Sequence, residues 1–136
     1  RLAAELGIKA VHLGEDDGDI EEARQALGPG SLIGVSCYAS VERAQALAPV
    51  ADYLAFGALF ASGTKPLARP APLSVFREVQ ALSLARPLVG IGGIDADNIG
   101  SVLAAGADAA AVIGALFRQG DVRAAAQRLV AAAARP

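Results

Sequence analysis

The stretch Leu88-Val89-Gly90-Ile91-Gly92-Gly93-Ile94-Asp95-Ala96-Asp97-Asn98 opens one complete structural unit. Leu88 to Ile91 is a short apolar run of strand character, Gly92-Gly93 lets the chain turn, and Asp95 or Asp97 can cap a helix that runs through Ala105 and closes at Gly106. A second apolar run, Ala109 to Ile113, follows and ends on Gly114. Outward from this unit the same pattern recurs. Lys9 to Leu13, Leu32 to Val35 and Tyr53 to Phe56 read as strands. Asp19 to Leu27 reads as a helix with acids early, Arg24 later and Gly28-Pro29-Gly30 as its stop; Ser40 to Leu47 is opened by a capping serine, and Asp121 caps an Ala-rich last helix. Arg1 to Leu6, closed by Gly7, has the pattern of a helix end.

Strand starts near positions 9, 32, 53, 88 and 109 are separated by 21 to 23 residues three times and by 35 once. Such βα alternation predicts an α/β fold with a parallel sheet and right-handed crossovers. The runs are almost continuously apolar, which predicts strands covered on both faces. The long interval holds Ala58 to Pro72, where Gly63, Pro66, Pro70 and Pro72 forbid a continuous helix. Loops of that length are commonly functional.

The 136 residues suit one domain. Twelve basic against fourteen acidic residues leave a charge of −2, no electrostatic footprint for nucleic acid or an anionic membrane. At 54% hydrophobic the chain is too apolar for disorder, and Gly, Asp and Arg interrupt it too often for a membrane span. The one cysteine, Cys37, forbids an internal disulfide and a cysteine zinc cluster. No signal peptide opens the sequence, so a reducing cytoplasm is the expected compartment. The chain starts at Arg1 and has no methionine, which leads us to expect a processed, trimmed or N-terminally incomplete chain.

In either parallel architecture, barrel or open doubly wound sheet, ligands bind at the carboxyl ends of the strands. Those ends carry Gly14-Glu15-Asp16-Asp17, Ser36-Cys37-Tyr38, Gly57 to Lys65, Gly90-Ile91-Gly92-Gly93 and Gly114-Ala115. An acidic cluster, a hydroxyl, a lysine and Gly-rich turns on one rim suit a magnesium-bound phosphorylated ligand. Asp17 offers the hard oxygen Mg²⁺ prefers, although an acidic run at such a turn is by default a solvated cap. Ser36 by default satisfies a turn. Lys65 follows Ser62-Gly63-Thr64, and an ammonium positioned beside hydroxyls fits a phosphate. Gly93 and Gly114 either let backbone N–H groups approach an anion or only allow tight turns. His12, between Val11 and Leu13, reads as a packed, hydrogen-bonded residue without a catalytic role, and Cys37 as a small buried apolar one.

Five blocks together carry a family resemblance: Val11-His12-Leu13-Gly14-Glu15-Asp16-Asp17; Gly34-Val35-Ser36; Ala51-Asp52-Tyr53 with Phe60-Ala61-Ser62-Gly63-Thr64-Lys65-Pro66; Gly90-Ile91-Gly92-Gly93-Ile94 with Asn98; and Ala105-Gly106-Ala107-Asp108. In this order and spacing, from about Gly7 to Phe117, the chain resembles thiamine phosphate synthase, within a superfamily that includes thiazole tautomerases. The resemblance implies a (β/α)8 TIM barrel, of which this chain holds strands four to eight, since such a barrel takes about 200 residues or more. It implies a Mg²⁺-dependent transferase that joins hydroxymethylpyrimidine diphosphate to thiazole phosphate, giving thiamine monophosphate and diphosphate. By that resemblance Asp17 binds magnesium, Ser36 and Lys65 contact the pyrimidine diphosphate with Lys65 in the catalytic role, and Ser62, Gly63, Thr64, Gly93, Ile113 and Gly114 hold the thiazole phosphate. The partners it implies are these small molecules, with no nucleic acid or membrane, and it is compatible with a homodimer. The chain departs from the family pattern at Glu15, Tyr38 and Gly114, where Gln, His and Ser are usual, and has nothing before Gly7 to match the family's diphosphate-binding Gln-Leu-Arg-x-Lys and its Asn-Asp pair. Two rivals are a thiazole tautomerase relative, against which Tyr38 counts, and a non-catalytic five-stranded flavodoxin-like or receiver-type binding module, suggested by Asp16-Asp17.

Overall fold

The computed structural model describes residues 2–61 and 70–134. The elements are α1 (Leu2–Glu5), β1 (Ala10–Leu13), α2 (Ile20–Leu27), β2 (Leu32–Tyr38), α3 (Val41–Leu47), β3 (Tyr53–Phe56), α4 (Ser74–Ala81), β4 (Leu88–Ile91), α5 (Ile99–Ala104), β5 (Ala109–Ala111), α6 (Gly114–Phe117) and α7 (Val122–Ala133). Local chemistry sets the helix starts. Asp19 Oδ1 accepts the N–H groups of Glu21 and Glu22 at α2, Ser40 Oγ accepts that of Arg43 at α3, and Asp121 Oδ1 accepts that of Ala124 at α7. α5 differs from the expectation of an Asp95 or Asp97 cap: its N-cap position is Asn98, which makes no side-chain cap bond, and Asp95 instead closes the preceding turn, its Oδ1 accepting the N–H groups of Asp97 and Asn98.

The five strands are all parallel and lie in the order β1-β2-β3-β4-β5. When each right-handed crossover leads to the adjacent strand, every helix falls on the same face of the sheet. Doubly wound sheets instead reverse direction at a switch point and place helices on both faces. The sequential order therefore removes the flavodoxin-like and receiver-type alternative. No helix among the described residues is long and apolar enough to cross a membrane.

The core lies between the sheet and its helices. Ile33, Val35 and Cys37 of β2, Leu54 and Phe56 of β3, and Val75, Phe76 and Val79 of α4 are all fully buried. Phe56 meets Phe76 edge to face at 5.6 Å. Burial of each large side chain contributes about 1.5–3 kcal/mol, so this outer face holds the fold together. The other face carries His12, Gly34, Ser36, Tyr53, Ala55, Val89, Ile91 and Ala111, of which His12 and Ala111 are exposed. Coverage on both faces is thus corrected: the central strands β2 and β3 are buried through their middles, whereas β1 and β5 alternate between exposed and half-buried.

Two strand boundaries also differ from the sequence reading. β2 continues to Tyr38, so Ser36 lies inside the strand instead of in the turn after it, because Cys37 keeps the outward apolar alternation going. β5 ends at Ala111, which leaves Ile113 exposed at the threshold of α6. At the opposite end of the sheet, two Ala-Asp steps act alike. Asp52 accepts the N–H of Ile33 at 2.7 Å and Asp108 that of Leu88 at 2.7 Å, so each carboxylate ties its strand to a neighbouring one. Arg24 braces the first step, donating to Asp52 and to the carbonyls of Ser31 and Val50.

Candidate active site

At the carboxyl ends of the strands the inner face opens into a cleft of about 1080 Å³. Asp17, Ser36, Gly93, Ile113 and Gly114 all line it. These are the sequence-nominated residues that the structure describes; Ser62, Gly63, Thr64 and Lys65 lie outside the described residues. Each wall is built by a local device. After β1 the chain turns tightly: the N–H of Gly14 donates to Asp17 Oδ2 at 2.6 Å, and the N–H of Glu15 to the Tyr38 hydroxyl at 3.2 Å. Tyr38 sits at φ +56 where the β2–β3 register shifts. Arg43 holds that irregularity, its Nε donating to the Ser36 carbonyl at 2.9 Å while its guanidinium lies 6.0 Å from the Tyr38 ring.

The turns after β3 and β4 are pressed together. Leu59 and Phe60 donate to the carbonyls of Ile91 and Gly92. A Cβ on Gly93, at φ +67, would lie 2.6 Å from the Phe60 carbonyl oxygen, so a side chain is excluded there. Asn98 fixes the same turn by donating to the Gly93 carbonyl at 3.1 Å. The chain leaves the sheet at Ala58 and is tied back where the N–H of Ala71 donates to the Ala58 carbonyl at 2.7 Å. At α6 the N-cap residue is Ile113, whose apolar side chain makes no cap bond, so among the described residues the opening N–H groups beside Gly114 have no side-chain cap.

His12 stands inside the cleft as well. Its Nε2 is 2.9 Å from Ser36 Oγ and its Nδ1 is 3.0 Å from the Tyr53 hydroxyl. The expectation that it is hydrogen-bonded holds, but the ring is exposed on the inner face instead of packed in the core. Burial against the sheet lowers its basicity, and Asp17 opposes that less strongly. Burial raises the Tyr53 phenol above its usual range and pushes the Cys37 thiol up to about 11, which makes Cys37 the inert buried residue the sequence suggested.

Among the described residues no three His, Cys, Asp or Glu side chains gather as a metal cluster. Asp17 Oδ1 makes no hydrogen bond with the described residues, while Oδ2 is held by Gly14. One oriented carboxylate on an open cleft fits the habit of Mg²⁺, which takes one or two carboxylates and completes its shell with water and phosphate oxygens. Sequence reasoning overlooked Tyr53, which reaches the site only because Gly34 clears its path, and Arg118, which follows Gly114 by one helical turn and lines the cleft. The four-residue step from Gly114 to Arg118 was the available signal.

The family model for thiamine monophosphate synthase matches residues 1–116. The chain belongs to the thiamine monophosphate synthase family. Among its relatives, the thiamine-phosphate synthase of Chromobacterium violaceum is 54% identical over 129 residues, and that of Methylobacillus flagellatus 50% identical over 129 residues. Each alignment covers 94% of this chain and 61% of the relative, so the chain spans about three fifths of the length of these thiamine-phosphate synthases. The solved thiamine phosphate pyrophosphorylase from Pyrococcus furiosus superposes with a TM-score of 0.83 at 36% identity, over 97% of this chain and 62% of that one. A 3-hexulose-6-phosphate synthase shares the fold alone, with a TM-score of 0.70 at 23% identity over 98% of this chain and 66% of that one. In this chain the Gly92-Gly93 turn and the Ile113-Gly114 pair meet Asp17 and Ser36 in one cleft.

Proposed function

We propose that this sequence forms the strand-end half of a thiamine phosphate synthase site, where hydroxymethylpyrimidine diphosphate and thiazole phosphate are joined to thiamine monophosphate with release of diphosphate. The observation that carries the reading is the convergence of Asp17, Ser36, Gly93 and Gly114 on one cleft. The five βα units are read as an arc of a (β/α)8 barrel whose β1 and β5 edges pair with further strands in the whole protein. Both the sequential strand order and the exposed positions along β1 and β5 support this arrangement.

Departure of diphosphate places negative charge on its oxygens as the pyrimidine methylene carbon becomes cationic. Groups aimed at those oxygens stabilise this transition state more than the bound substrate. Ser36 donates its hydroxyl proton to a diphosphate oxygen, and the Lys65 ammonium supplies positive charge to the same group. Asp17 would hold Mg²⁺, which when bound would neutralise phosphate charge. Backbone N–H groups at Gly93 and at Ile113-Gly114, with Ser62, Gly63 and Thr64, hold the thiazole phosphate, and Arg118 adds a cation next to Gly114. The thiazole nitrogen is already nucleophilic, so no general base is needed, which suits a site whose one histidine has both ring nitrogens engaged by hydroxyls. Thiamine biosynthesis in the cytoplasm, with small phosphorylated partners and a homodimeric assembly, is the matching setting.

The test is formation of thiamine phosphate from both substrates with Mg²⁺ by the protein carrying this sequence. Asp17→Asn keeps an acceptor for the Gly14 N–H while removing the charge, and is expected to lower kcat/KM by about 10²-fold or more. Lys65→Ala should do the same. Undiminished turnover in either variant overturns that residue's role, and no turnover in the unaltered protein overturns the reading.

A further inference from the structure

We propose that Tyr53 and His12 are positioning residues that set the direction of the Ser36 hydroxyl, in a chain running from the Tyr53 O–H to His12 Nδ1 and from His12 Nε2–H to Ser36 Oγ. The chain frees the Ser36 proton for an anionic oxygen in the cleft. This rests on the proposed diphosphate site, and adds to it the residues that decide whether Ser36 donates or accepts.

Sheet register builds the arrangement. His12 of β1 is level with Gly34 of β2, and Gly34 with Tyr53 of β3. The Tyr53 ring lies over Gly34 so closely that a Cβ there would stand 1.8 Å from its Cζ. The phenol thereby crosses the whole of β2, stacks on the imidazole at 5.6 Å between centroids, and brings its oxygen to 3.0 Å from Nδ1. On the other side of the ring, Nε2 is 2.9 Å from Ser36 Oγ. Ser36 is pinned at its backbone too, by Arg43 on its carbonyl.

Proton counting chooses between the two directions this chain can run. A neutral imidazole has one donor and one acceptor, a serine hydroxyl has one proton, and an ionised phosphate accepts only. If Nε2 accepted from Ser36, the single Ser36 proton would be spent on the histidine and oxygen lone pairs alone would face the phosphate. With Nε2 protonated, Ser36 accepts from the ring and keeps its own proton for the ligand. Nδ1 must then accept, and the phenol opposite it is a suitable donor. Burial works in the same direction, favouring the protonated phenol and the neutral imidazole.

The ring nitrogens of His12 are read in a two-bond ¹H–¹⁵N correlation spectrum of the ¹⁵N-labelled protein carrying this sequence, with a His12→Gln variant identifying the signals that belong to it. The expected result is a protonated Nε2 and an Nδ1 resonance displaced in the manner of a nitrogen accepting a hydrogen bond. Tyr53→Phe preserves the ring over Gly34 and should abolish that displacement. In the active protein Tyr53→Phe should raise KM for the pyrimidine diphosphate about tenfold, the effect of one hydrogen bond, with KM for the thiazole phosphate and the thermal midpoint little changed. In a Ser36→Ala background the same substitution should have no further effect on KM. A protonated Nδ1, an Nδ1 resonance indifferent to Tyr53→Phe, or additive effects of the two substitutions would overturn the chain. Absence of turnover in the unaltered protein defeats the synthase reading separately, and the ring spectrum then decides the chain of hydrogen bonds by itself.

Discussion

The ring of Tyr53 fills the space that a side chain at position 34 would need. Gly34→Ala must push the ring aside, because the clash is with a rigid aromatic instead of a flexible side-chain end. Overpacking of this kind costs about 1–3 kcal/mol, which urea denaturation would measure, and the same substitution should remove the contact between the phenol and His12. Cys37 illustrates how burial alone governs a reactive group. Its thiol is held at about 11 against an ordinary 9.0, so the folded state keeps the proton longer than the unfolded one. The stability linked to that proton is present in full below pH 9 and is lost as pH rises through about 11. Cys37 should therefore resist alkylation at pH 8 in the folded protein and react at the ordinary rate in denaturant, and rapid labelling of the native protein would contradict its burial. Buried cysteine was legible from residue type, whereas the contact between Gly34 and Tyr53 was not, since nineteen positions of chain separate them and only strand register brings them level.

At the scale of elements, the two Ala-Asp steps serve as strand ties at the end of the sheet away from the cleft. Removing the Asp108 carboxylate leaves the Leu88 N–H without its acceptor, and Asp108→Ala is expected to cost about 1–3 kcal/mol. Asp52→Ala has the added loss of Arg24, an ion pair about a third exposed, which contributes little beyond the hydrogen bonds. The Ile33 N–H, first, and Arg24 hold the Asp52 carboxyl below its ordinary value. Its contribution to stability is therefore present above pH 3.8 and disappears as pH falls through the lowered folded value. Comparing urea midpoints of the unaltered protein and Asp52→Asn at pH 7 and pH 3 should show the gap narrowing in acid, and a constant gap would contradict this. The helix caps at Asp19, Ser40 and Asp121 were readable because a cap is a local event within three residues. The carboxyl end of β2 was not, because Ser36 is polar for a reason on the inner face while Cys37 continues the outer alternation.

For the whole molecule, the sequential strand order leaves β1 and β5 as edges, with exposed alanines at Ala10, Ala109 and Ala111 and exposed Ile113 and Phe117 near the rim. Unpaired edges of parallel strands recruit other chains. The 136-residue chain taken alone is expected to self-associate with rising concentration in sedimentation experiments and to bind an apolar dye. A monodisperse, dye-free monomer would show that the edges are protected by some other means. The cleft takes its two sides from different units, Asp17 and Ser36 from the first two and Gly93 and Gly114 from the last two, so the site requires the sheet's curvature as well as its residues.

The sequence by itself determined the βα repeat, the helix caps, the family and the rim on which the chemistry gathers, because periodicity, capping and Gly-rich turns are properties of short stretches. Only the tertiary structure decided that the helices share one face, that the inner face is open, and that His12 bridges Ser36 and Tyr53. Those facts depend on strand order and register, and register couples residues through space that no local pattern connects.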